Sequence, residues 1–164
     1  MSSFAKKSRK ARQMRDVCIL VIANYYMQKA IKEYGEQVES GADRMYLEAA
    51  KRVKRVVCNF KLSYLKRAEA HINKVMAKLR GENINAPYLP VILLMIWYLY
   101  DDKTVHLGCK NLLSDLLGDM SKGFEERGQE YKKMRRKTDD MAELIIEEIV
   151  KEVGCLEQKR DKVA

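Results

Sequence analysis

Residues 41–80 read GADRMYLEAAKRVKRVVCNFKLSYLKRAEAHINKVMAKLR, and this stretch decides the fold. Met45, Ala49, Val53, Val56, Phe60, Tyr64, Ala68, Ile72, Val75 and Leu79 follow one another at steps of three or four. That spacing keeps side chains on one face of an α-helix and is incompatible with the alternation of a strand. The stretch therefore predicts one long basic helix over 41–80. Unbroken, it would run about 60 Å, beyond the roughly 40 Å expected across a compact domain of this length. Its mean apolar step of about 3.8 residues exceeds the helical repeat, so the apolar stripe drifts around the axis. A break or a change of packing partner is expected near Asn59–Ser63.

Outward from this stretch the same class recurs. Val17, Leu20, Val21, Tyr25, Met27, Gln28, Ile31 and Tyr34 form a helical face beginning near Asp16, with Gly35 as its terminator. A polar connection, 36–40, leads to Ser40 and Asp43 as capping residues. After Gly81, Pro90 suits the first turn of a helix. The run VILLMIWYLY at 91–100 reads as a central apolar helix (90–100), buried on all sides, and is too short to span a bilayer. The competing reading makes it an interfacial helix with Trp97 as anchor. A further helix is expected from Val105, with Leu107, Leu112, Leu113, Leu116, Leu117 and Met120 inward. The last helix places Met141, Ile145 and Ile149 on its packed side and ends at Gly154. The fold class is all-α: a single-domain bundle of about five helices. The domain plan is a basic, mobile N-terminal arm over 1–15, a helical domain over 16–153 and a disordered tail over 154–164. With 47% hydrophobic and 34% charged residues in 164, the chain can bury a core without a second domain.

The formal charge of +9 is unevenly spread. Residues 1–40 carry eight Lys and Arg against four Asp and Glu, and residues 41–80 carry eleven against three. Residues 81–120 carry two against five, and residues 121–164 carry eleven against eleven. On the 41–80 helix, Arg44, Lys51, Arg55 and Lys66 fall in one stripe opposite the Met45–Phe60 face, with Lys54, Lys61, Lys74 and Lys78 nearer its edge. Lysines on a bundle helix are ordinarily offset by acids one turn away, and only Asp43, Glu48 and Glu69 are present to do so. Such a stripe repels itself unless a counter-charge lies elsewhere. The acidic residues Asp139, Asp140, Glu143, Glu147, Glu148 and Glu152 offer one within the chain. A polyanion offers one outside it. Arg9 and Arg12, in an N-terminal segment with no acid before Asp16, extend the candidate surface.

Motifs for chemistry are sparse. Cys18, Cys58, Cys109 and Cys155 lack metal-ligand spacing and read as reduced thiols of a cytoplasmic protein, with Cys18 and Cys58 on or beside apolar faces. His71 follows Arg67 by four residues, so both could reach a common point, but His71 reads as a boundary residue rather than a general base. His106 reads as a capping residue. The carboxylate pairs Glu33 with Glu36, Asp115 with Asp119, Glu143 with Glu147 and Glu148 with Glu152 could flank magnesium, yet read as solvated helix faces. No glycine-rich phosphate loop or activated nucleophile is present. These features predict no catalytic residue, no metal and no cofactor. They predict a non-enzymatic accessory protein that engages nucleic acid or a nucleoprotein complex through its basic N-terminal half, by phosphate contacts without base readout. The alternative is an adaptor, inhibitor or assembly subunit docking on an acidic protein surface. Both are compatible with a homo-oligomer and neither requires membrane insertion.

Overall fold

The computed structural model describes residues 3–34, 41–80, 89–100, 114–115 and 129–154, with side chains described over 9–33, 44–80, 89–98, 114–115 and 138–154. The connection at 36–40, the expected helix from Val105, His106 and the expected tail from 155 lie outside the described residues. Five helices are present among them: α1 (Ser3–Tyr34), α2 (Gly41–Cys58), α3 (Leu62–Lys78), α4 (Leu89–Tyr100) and α5 (Gln129–Val153). Every described element is helical, as the spacing predicts.

The stretch 41–80 is two helices rather than one. On a straight helix, 34 residues from Met45 to Leu79 at about 100° each would turn the apolar stripe about 160° away from where it began. The break resets it. Asn59 and Phe60 donate to the carbonyls of Val56 and Val57 at 3.1 Å, closing three-residue turns that tighten the end of α2. Lys61 is then extended (φ −60°, ψ 139°), and its carbonyl accepts from Tyr64 and Leu65 to start α3. No glycine or proline forces the break. Ala49, Ala50, Val53 and Val57 are buried before it, and Ala68, Val75 and Leu79 after it.

Helix α1 is the hub and packs against α2, α3, α4 and α5. Helices α1, α3, α5 and α4 close a ring, through the α1–α3, α3–α5, α5–α4 and α4–α1 contacts. Helix α2 packs on α1 alone among the described helices. This centrality corrects two expectations for α1. It begins at Ser3 rather than near Asp16, so the helix runs through 3–15 of the segment expected as an arm, and Met14 and Arg15 are already buried. Its core is also wider than one face. Every residue from 14 to 20 is buried, as are Ile22, Ala23, Met27 and Ala30, whereas Tyr25, expected inward, is 61% exposed.

The apolar run behaves as a central helix. Leu89, Val91, Ile92, Leu93, Leu94, Ile96 and Trp97 are all buried, which excludes Trp97 as an exposed partner anchor. Its indole Nε1 donates to Asp16 Oδ1 at 3.1 Å. The same oxygen accepts from Arg15 Nε at 2.9 Å and Nη2 at 2.8 Å, forming a buried polar knot between α1 and α4. Helix α5 packs Ala142, Ile145, Ile146 and Ile149 against this core. It ends where the sequence places its terminator: Gly154, at φ +70°, donates to the Lys151 carbonyl at 3.3 Å.

Candidate polyanion-binding face

The order of α2 and α3 along α1 follows from two contacts. Gln28 Nε2 donates to the Ala50 carbonyl at 3.4 Å, and Cys18 Sγ faces the Ala68 carbonyl at 3.9 Å. As the α1 position falls from 28 to 18, the neighbouring position rises from 50 to 68. From α2 to α3 the chain therefore advances along α1 in the sense opposite to α1 itself, with the Asn59–Lys61 break between. The interval between these contacts is about 15 Å along α1. From Arg44, six residues before Ala50, to Lys66, two residues before Ala68, the cationic file covers about 21 Å.

Because α2 is buried through Ala49, Ala50, Val53 and Val57 on α1, no other described helix packs on its opposite side. Arg44, Lys51 and Arg55 occupy that side and are all exposed. Lys66 is exposed on α3, on the side away from Ala68 and Val75. Lys54 and Lys61, which the drifting stripe places near its edge, are exposed as well. Lys51 pairs with Glu48 at 3.5 Å, a contact between side chains that are 67% and 64% exposed. Pairs of this kind contribute little. Arg44, Lys54, Arg55, Lys61 and Lys66 have no acidic partner among the described residues. Arg52, on one flank of α2, meets Asp115 at 3.3 Å.

The acidic segment of α5 does not cover this stripe. Its inner edge serves the second half of α3 instead. Glu152 takes His71 Nδ1 at 3.2 Å and Lys74 Nζ at 3.5 Å, while Glu148 takes Lys78 Nζ at 3.7 Å and Lys151 Nζ at 3.5 Å. The hydrogen bond from His71, with the charge of Lys74 beside it, holds the Glu152 carboxyl below its usual range despite the opposing pull of burial. The separation has a geometric cause: α3 touches α5, and α2 does not.

The N-terminal candidates stand apart. Arg9 is exposed without a partner among the described residues, whereas Arg12 is half-buried and engaged. Both lie some 24–28 Å along α1 from Gln28, where α2 is anchored, so they do not join the α2 stripe.

Nothing else among the described residues assembles a reaction centre. Arg67 and His71 do not converge: the guanidinium lies 4.9 Å from the centroid of the Tyr64 ring, while the imidazole turns to Glu152. Cys18 is fully buried, and burial, with Glu152 adding to it, pushes its thiol up to about 12. Cys58, expected beside an apolar face, is exposed on the outer side of α2. Among the described residues no group of three or more His, Cys, Asp and Glu side chains could hold a metal ion, and no helix is long and apolar enough to cross a membrane. No family model, no curated protein and no solved structure matches the chain.

Proposed function

We propose that this chain is a non-enzymatic binding protein that holds the phosphate backbone of a nucleic acid against the outer side of α2 and the start of α3. One observation carries the reading: Arg44, Lys54, Arg55, Lys61 and Lys66 are exposed in a file, and no acid of the described residues meets them. Leaving like charges side by side disfavours the helix, and an external polyanion relieves that repulsion while releasing its own counterions. The exposed Leu62, at 66%, beside Lys61 favours a second reading, an acidic protein surface with an apolar contact at the α2–α3 break.

Titrating labelled DNA and RNA over a salt series separates the two. Five phosphate contacts give a logarithmic slope of about −4.5, so raising salt from 50 to 200 mM weakens binding roughly 500-fold. Changing Arg44, Lys51 and Arg55 to Glu makes the slope shallower by about two or more, with helicity unchanged because all three side chains are exposed. Absence of detectable binding to any nucleic acid at about 50 mM salt sinks the reading and leaves the acidic protein partner to be sought by a charge-sensitive pull-down.

A further inference from the structure

We infer that the nucleic acid this face takes is double-stranded, gripped along α2 and α3 by its phosphates and without sequence preference; the inference rests on the phosphate-binding reading above. Three features of the face lead to it.

The first is what is missing beside the cations. Single strands are held by pairing a basic groove with aromatic rings on which the bases stack. Among the described residues the large exposed apolar side chains are Tyr25 and Leu62, and Tyr25 stands on α1 rather than within the file. Phe60, next to Lys61, is half-buried against the core, and Tyr64, two residues before Lys66, is half-buried with its ring covered by Arg67 at 4.9 Å. Tyr46 is half-buried against the core. Among the described residues a base therefore finds no open ring along the cationic file, and binding there comes from phosphates.

The second is length and stiffness. The cations are mounted on two helices that follow α1, and Arg44 to Lys66 extends about 21 Å along it. That is too long for one nucleotide or a single anion, and it favours a ligand whose charges are already fixed in a line. A duplex meets this condition: it is straight over many turns and presents one charge per about 1.7 Å of its axis. A flexible strand loses conformational freedom on being straightened along the same file, and no stacking repays that loss.

The third is the composition of the outer side of α2. Arg44, Lys51 and Arg55 alternate there with Glu48, Leu47 and Cys58. Asn and Gln, which read adenine edges in the major groove, are absent from α2. The outer side thus lacks the adenine readers, and its cations serve as a positioning surface for phosphates.

The test uses the full chain, a labelled 20-base-pair duplex of mixed sequence, a second duplex of unrelated sequence, and a labelled 20-nucleotide oligo-dT strand. Anisotropy titrations at about 100 mM salt are expected to give at least roughly tenfold tighter binding to the duplexes, equal affinity for both sequences within about threefold, and a salt slope near −4.5. Replacing Lys54, Arg55, Lys61 and Lys66 by Gln should reduce the duplex slope to about −1 to −2. An oligo-dT strand bound as tightly as the duplexes overturns the present inference and leaves the phosphate-binding reading standing. A strong preference between the two duplexes also overturns it. Binding to none of the three ligands overturns both.

Discussion

Asp16→Leu should be among the most damaging single substitutions in this protein. The carboxylate is 3% exposed, and its Oδ1 accepts from Arg15 Nε, Arg15 Nη2 and Trp97 Nε1 at 2.9, 2.8 and 3.1 Å. Removing it leaves a guanidinium that is 1% exposed without this anion, and an indole N–H without its acceptor. Stranding a buried charge costs about 3–5 kcal/mol, and an orphaned buried donor about 1–3 kcal/mol. The two penalties overlap, because relaxation that admits water relieves both. Arg15 and Asp16 also make further polar interactions, which retain part of the compensation. The expected loss is therefore about 3–4 kcal/mol, a large share of a typical folding free energy. Arg15→Met strands the carboxylate instead and should cost about 2–3 kcal/mol, since Trp97 still donates to it. The double variant removes both charges and should lose only about 1–3 kcal/mol, less than the sum of the two singles by at least about 2 kcal/mol. Urea unfolding followed by circular dichroism and by Trp97 fluorescence measures all three. Costs that simply add, or an Asp16→Leu loss below about 1 kcal/mol, would refute the buried-knot argument.

Two further outcomes follow from the buried thiol and the α3–α5 seam. In a Cys109→Ser, Cys155→Ser background, iodoacetamide at about pH 8 should label Cys58 rapidly, while Cys18, with its thiol pushed up to about 12, should label only on unfolding; equal native-state rates, read by peptide mass spectrometry, would contradict the packing of α1 on α3. Because its carboxyl is held below the usual range, Glu152 stabilises the fold above its unfolded value near 4.5, and that contribution is lost as pH falls through the depressed folded value. Parent and Glu152→Gln should therefore differ in urea midpoint at pH 6 and begin to converge as pH falls below 4.5; a gap that is undiminished at pH 3 rejects the linkage.

Local periodicity revealed the elements whose partners lie on one side, and failed where neighbours surround them. Val53, Ala68, Val75 and Leu79 were legible as core because each helix of the 41–80 stretch turns one face to its partners. The break between them was legible as drift in the apolar stripe. Helix α4 was legible because ten consecutive apolar residues can only be buried all round. Helix α1 was misjudged for the opposite reason. With helices on several sides, Cys18, Ile19, Leu20 and Ile22 are all buried, and no single stripe marks them. Arg15 reads as the end of a basic arm and Asp16 as the start of a helix, whereas both are interior. Their burial is understandable only through Trp97, 81 positions beyond Asp16, and one sequence does not display that distance. The charge balance identified which half of the chain is basic. It could not decide which lysines meet the acids of α5, because that depends on α3, and not α2, touching α5.

That division of charge has a consequence at the two ends of the basic stretch. In α2, exposed cations face one another with little opposing charge, so the net electrostatic term opposes the docked helix. At the α3–α5 seam, Lys74, Lys78 and His71 face Glu148 and Glu152, so the term has the opposite sign. Salt screens both over a Debye length that shrinks from about 14 Å at 50 mM to about 4 Å at 500 mM. Raising salt should therefore stabilise α2 on α1 and weaken the seam, within one molecule and without a ligand. Among the described helices α2 also packs on α1 alone, so it can open without breaking the ring of four, and its amides should exchange through a local opening rather than global unfolding. Hydrogen exchange at the two salt concentrations reads both terms at once. Protection of residues 49–57 should rise by a few-fold, and that of the last turns of α5 should fall. If protection in α2 falls with salt instead, its cations are paired, and the ground for assigning them an external polyanion disappears.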